Sequence, residues 1–176
     1  MSGKVVVLTG DLGSGKTTAC LQFAERVAGQ GLDCAGVVCP ARFDGNRKVG
    51  FDLLDLRTKE RRPLAEADQQ PASLRTGMYR FDVGTMAWGM TCLESACPCH
   101  VLIIDELGPL ELERGAGWTN ALDVLRAGQF RLAVVVVRPR LVDTFMALVS
   151  TTEQSPLVLL KDPGDDVIVT LLDLLR

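Results

Sequence analysis

The run Gly10-Asp11-Leu12-Gly13-Ser14-Gly15-Lys16-Thr17 follows G-x-x-x-x-G-K-[ST] without a mismatch, the phosphate-binding P-loop or Walker A pattern. The spacing has a physical reason. Glycines let the backbone from Gly10 to Gly15 fold into a concave nest whose N–H groups converge on an anion, and the helix that follows adds the positive end of its dipole. Lys16 supplies a point charge between β- and γ-phosphates, the Thr17 hydroxyl suits Mg²⁺, and Thr18 reaches toward the α-phosphate. The chemistry expected of these residues is the grip of a nucleoside triphosphate tail.

A second constellation reads Val101-Leu102-Ile103-Ile104-Asp105-Glu106, an apolar run ending in two acids, as in a Walker B segment. Alone, such a pair is as well explained as a helix cap or a solvated rim. Beside the first motif, Asp105 is expected to hold the metal shell and Glu106 to orient or deprotonate an attacking water. Arg138 and Arg42, each just after an expected strand, are candidates for stabilising charge on the γ-phosphate, and Arg140 is a third. Three further groups are weaker. The charged run at residues 57–62 reads first as a solvated hairpin. Cys97-Pro98-Cys99-His100 lacks the paired C-x2-C spacing of zinc sites. Phe81, Trp88 and Trp118 fall at helical spacing and read as core before base-stacking groups. No base-reading residue is visible.

To position these residues the chain must alternate short β-branched runs with longer amphipathic ones, the pattern of a parallel sheet with crossover helices. Strands are expected over residues 4–9, 34–39, 100–105, 131–137 and 157–160, with helices over 16–30, 81–96, 118–127 and the C-terminus. Residues 43–63 break the alternation, with Asp44-Gly45-Asn46 as a turn, and are expected to form an inserted antiparallel hairpin; 64–76 read as polar and irregular. The expected fold class is α/β, a three-layer P-loop NTPase domain with a mostly parallel sheet, and 176 residues fit a single domain over 1–176. The 19 Lys and Arg against 22 Asp and Glu give a net charge of −3, which disfavours polyanion coating and acidic membranes. No apolar run approaches the roughly 20 residues of a membrane helix. No signal peptide is evident at Met1-Ser2-Gly3-Lys4, so the expected compartment is the cytoplasm. In that setting the six cysteines are expected to stay reduced, Cys20, Cys34 and Cys92 as small apolar residues.

Extended to Asp105-Glu106-Leu107-Gly108-Pro109-Leu110-Glu111-Leu112, the second motif resembles the small P-loop nucleoside-triphosphatase family related to the human cancer-related nucleoside triphosphatase, whose members typically read DEIGKMEL here. The resemblance runs through residues 5–36, Lys48-Val49-Gly50-Phe51, the tract near Tyr79, and residues 134–137 on to the C-terminal helix. It implies slow, Mg²⁺-dependent hydrolysis of ATP, GTP and other triphosphates with little base preference. It also implies phosphate and metal roles for Gly10, Gly15, Lys16 and Thr17, a metal role for Asp105 and water activation by Glu106. Two positions depart from the pattern: the family's lysine is Pro109, and its Thr-Glu-Glu-Val-Arg-like segment is Cys39-Pro40-Ala41-Arg42-Phe43. A nucleotide or nucleoside kinase and a nucleotide-dependent switch remain open as alternatives. Oligomeric state and protein partner are not legible.

Overall fold

The computed structural model describes residues 3–67, 75–149, 157–164 and 166–176. Ten strands form one sheet, in the order β10-β1-β9-β8-β2-β4-β5-β7-β6 with β3 paired to β4. Its parallel half comprises β1 (Lys4–Thr9), β2 (Cys34–Val38), β8 (Val101–Leu107), β9 (Leu132–Val137) and β10 (Leu157–Lys161). In β1, β2, β8 and β9 almost every residue is buried, as crossover helices on both faces require. Val5 and Val7 point into one core, with Ile104, Val135 and Phe145; Val6 and Leu8 point into the other, with Phe23, Ile103 and Leu171. One cover layer is α1 (Lys16–Gly29) and α6 (Val167–Leu175), and the other is α2 (Val83–Glu94), the short α3 (Pro109–Leu112), α4 (Ala121–Ala127) and α5 (Val142–Val149).

This topology brings the carboxyl ends of β1, β2, β8 and β9 to one edge, where open parallel sheets bind ligands. The expected core strands and helices are present with small shifts at their ends. Among the described residues, no helix is long and apolar enough to cross a membrane.

The insertion is larger than the hairpin expected over 43–63. Antiparallel strands β3 (Ala41–Asp44), β4 (Arg47–Asp55), β5 (Arg61–Ala67), β6 (Arg75–Thr76) and β7 (Tyr79–Phe81) continue the main sheet from β2 outward. The reading of 64–76 as irregular is therefore corrected at 64–67 and 75–76, while 68–74 lie outside the described residues. Ala65, Glu66 and Ala67 have weak intrinsic preference for strands, but pairing with Phe81, Arg80 and Tyr79 decides their conformation. Pro63 has no N–H for a ladder; it stands opposite Asp52, next to the irregularity between Phe51 and Asp52. The turn at Gly45 joins β3 to β4 as expected.

Candidate functional site

The phosphate loop connects β1 to α1. Gly10 has φ +146°, and a Cβ there would lie 2.5 Å from Asp162 Oδ1 and 2.9 Å from Ser14 Oγ, so a larger residue would collide with the turn it begins. Gly15 caps α1 in the left-handed region at φ +87° and offers no side-chain acceptor, and no acid occupies the first turn. The first-turn N–H groups, normally satisfied by a Ser, Thr, Asp or Asn cap, are thus left for an external acceptor. Asp11, Leu12 and Gly13 are exposed along the loop, and Ser14 N–H donates to Asp11 O at 3.1 Å. The Lys16 ammonium arcs back over the loop and donates to Gly10 O at 2.8 Å, Asp11 O at 2.6 Å and Ser14 Oγ at 3.1 Å. Its charge is held above the nest, where a polyphosphate would meet it.

Next to this loop lies Asp105, only 1% exposed. Its Oδ2 accepts from Cys39 N–H at 3.0 Å, and the Thr17 side chain lies close enough to favour its ionised form. Burial pushes the Asp105 pKa up to about 6; the Cys39 N–H opposes the rise, neighbouring Glu106 adds to it, and Thr17 and Lys16 oppose it. A carboxylate and a hydroxyl together on the phosphate side suit Mg²⁺, which takes few protein ligands and completes its octahedron with phosphate oxygens and water.

Glu106 follows with φ +74°, a conformation that L-residues rarely adopt, at the point where the β8–β9 register shifts between Ile104 and Leu107. The bulge turns the Glu106 side chain toward Arg138 at the end of β9. Both Arg138 nitrogens converge on one oxygen, Oε1, from Nη2 at 2.6 Å and from Nε at 3.2 Å. The Arg138 side chain is 40% exposed and that of Glu106 33%. The structure therefore sets Arg138 against Glu106. Arg42 is instead bound to Asp52 at 3.4 Å and Glu66 at 2.8 Å on the antiparallel strands, and Arg140 to Glu113 at 2.6 Å.

The weaker groups are built into the scaffold. Arg57 pairs with Asp33 and donates to the carbonyls of Ser95, Ala96 and Pro98; Arg61 pairs with Asp52; Arg62 pairs with Glu60 and lies 4.2 Å from the Trp88 ring centroid. His100 Nδ1 accepts from Asp33 N–H, and Cys97 Sγ lies 3.9 Å from Cys99 Sγ. Among the described residues, no three His, Cys, Asp or Glu side chains gather as a metal cluster. Three contributors had no role in the sequence reading. Cys39 acts through its main chain, which no side-chain pattern encodes. Lys48 comes from β4, and its ammonium is close enough to Glu106, Arg138 and Asp105 to feel all three charges. Glu111 accepts from Gly108 N–H at 3.0 Å and Trp118 N–H at 3.2 Å, holding the loop after β8; its three-residue spacing from Gly108 is the one sequence signal for this role, and it went unread.

The buried charge makes a stability prediction. Asp105 is protonated more readily in the folded chain than unfolded, so its ionised form costs stability above pH 6, and that cost fades as pH falls from about 6 toward 4. That pKa rise corresponds to ~3 kcal/mol at most. Asp105→Asn is expected to raise Tm by several degrees at pH 8 without divalent ions and to show little gain at pH 4.5. Calorimetric melts at both pH values check this; a variant that melts lower at pH 8 would overturn it.

Comparison with known proteins now adds to the geometry. The profile of a family described as NTPase matches residues 5–158. The nucleoside-triphosphatase THEP1 of Methanopyrus kandleri is 36% identical over 112 residues, 63% of this chain and 61% of that protein. THEP1 of Caldivirga maquilingensis is 29% identical over 143 residues, 81% of each. The match with the Methanopyrus protein thus spans under two thirds of its length. Among solved structures, the crystal structure of THEP1 from Aquifex aeolicus superposes with a TM-score of 0.70 at 21% identity, covering 98% of this chain and 99% of that one. The solution structure of a human cancer-related nucleoside triphosphatase gives 0.68 at 22% identity, covering 97% and 95%. At that identity the two structures speak for the fold alone, and they share the α/β architecture described above.

Proposed function

The chain belongs to the NTPase family whose profile it matches, and from that premise we propose that it hydrolyses the β–γ bond of nucleoside triphosphates with Mg²⁺. The observation that carries this reading is the meeting of a Lys16-crowned phosphate nest with a buried Asp105 and an adjacent, bulge-turned Glu106. Water attacks the γ-phosphorus, its bond to the bridging oxygen breaks, and the nucleoside diphosphate leaves. The loop N–H groups and Lys16 bind and position the tail and offset negative charge that spreads as the bond breaks. Thr17 and Asp105 would hold the metal, which would supply positive charge against the phosphates when bound. Glu106 orients the water and accepts its proton, and Arg138 fixes where that carboxylate points. A transferase gains by excluding the water such a glutamate activates, so an acid at this position favours hydrolysis over phosphoryl transfer. The sequence offers no base-reading residue, which supports low selectivity.

Phosphate release from ATP, GTP, CTP and UTP, with Mg²⁺ and with chelator, tests reaction, metal and selectivity together. The expected result is release from all four within about tenfold of one another, a spread of ~1.4 kcal/mol, and loss of activity with chelator. Mg²⁺-independent release, or release from one nucleotide alone, would refute the corresponding part.

A further inference from the structure

A pocket of about 510 Å³, including its open mouth, lies beside Glu106, and none of the phosphate-loop residues lines it. Phe51, Tyr79 and Phe81 form one wall from the antiparallel strands; Met86, Leu110 and Trp118 form the other. The Phe51 and Tyr79 rings are 4.5 Å apart between centroids and tilted by 46°. The mouth is charged. Glu106 and Arg138 lie on one side, and the Lys48 ammonium stands 4.2 Å from the Phe51 centroid and 5.7 Å from that of Tyr79. Arg138 thus meets Glu106 in the lining of an aromatic chamber, and Lys48 stands over two of its rings. Glu111, the other acid in the lining, has its oxygens turned to the Gly108 and Trp118 N–H groups.

We infer that this pocket binds a small carboxylic acid bearing one flat or branched apolar group, and that the ligand carboxylate takes the Arg138 fork in place of Glu106. The Arg138 fork currently closes on a single oxygen of Glu106, whereas a ligand carboxylate can offer it two in the preferred bidentate arrangement. Lys48 adds attraction at the same mouth, and the aromatic walls remove the apolar body from water. Because no phosphate-loop residue lines the pocket, such a ligand adds to triphosphate binding without competing for the nest. Resting on the reading of Glu106 as the water-orienting group that Arg138 aims, release of Glu106 from Arg138 makes the pocket an inhibitory site.

Phenylacetate is the probe, with acetate and benzyl alcohol as the head and body alone. Saturation-transfer NMR on the full chain is expected to show phenylacetate binding at least about tenfold tighter than either fragment. Binding should persist with a nonhydrolysable Mg-triphosphate present. Lys48→Gln and Tyr79→Ala should each weaken it about fivefold or more, with basal hydrolysis unchanged in Tyr79→Ala and circular dichroism melts confirming that both variants fold. Saturating phenylacetate should lower phosphate release about fivefold, equivalent to ~1 kcal/mol. Absence of saturation transfer, or equal affinity in both variants, overturns the site. Binding without inhibition overturns the displacement of Glu106. If the unliganded chain releases no phosphate from any nucleotide, the hydrolytic reading fails by itself, and the NMR arms still decide the pocket.

Discussion

Replacement of Lys16 by alanine is expected to lower phosphate release by a factor of about 10³ or more while the chain stays folded. The loss is large because the ammonium is a positive charge held over the nest, with Gly10 O, Asp11 O and Ser14 Oγ as its present partners. Those partners lie within the loop itself, so removing the amine frees carbonyls that water can reach and disturbs no distant packing. The helix that carries Lys16 is anchored elsewhere, by Ala19, Cys20, Phe23, Ala24 and Val27 against the sheet. Phosphate release under saturating Mg-ATP, paired with a thermal melt, reads both halves of the expectation. Turnover like that of the unaltered chain would remove the phosphate loop from the mechanism. A melt lowered by many degrees would instead assign Lys16 a scaffold role that its half-exposed position does not suggest.

What the sequence made legible follows from how local each feature is. The run at residues 4–9, its glycine stop and the helix after it could be read because a doubly covered strand needs unbroken apolar residues and a phosphate nest needs glycines at fixed spacing. Family membership was legible from the residues around Asp105 for a similar reason. The antiparallel strands were read only in part. Gly45 announced the turn, but residues 64–67 became a strand through pairing with β7, a contact across more than ten residues that no window of local preference contains. The conformation of Glu106 was also hidden. Nothing in the letters Asp-Glu reports a φ of +74°, because the bulge arises from the β8–β9 pairing and the turn into Gly108 and Pro109. Arg138 and Arg42 looked equivalent as cations after strands; their difference comes from Asp52 and Glu66, which the antiparallel sheet places beside Arg42 and not beside Arg138.

The conformation of Glu106 bears directly on its expected behaviour when neutralised. A non-glycine residue at positive φ costs on the order of 1–3 kcal/mol, and such strain persists where surrounding structure enforces it. Here the enforcing elements are the bulge, the Glu111 hydrogen bonds that hold the following loop, and the Arg138 fork. Glu106→Gln keeps the side chain's length and leaves an amide oxygen for the same fork, so the backbone should keep its turn and the nest, Lys16 and Asp105 should be untouched. An amide cannot take a proton from water, however, and general-base assistance contributes about 10²–10⁴ in rate. The expected outcome is triphosphate affinity within about twofold of the unaltered chain by calorimetry, with kcat lowered by about 10² or more. The lost half-exposed ion pair should shift stability by less than ~1 kcal/mol. An unchanged kcat would hand water activation to another group, while a parallel loss of affinity and kcat would mean that Glu106 shapes the nest instead of the attacking water.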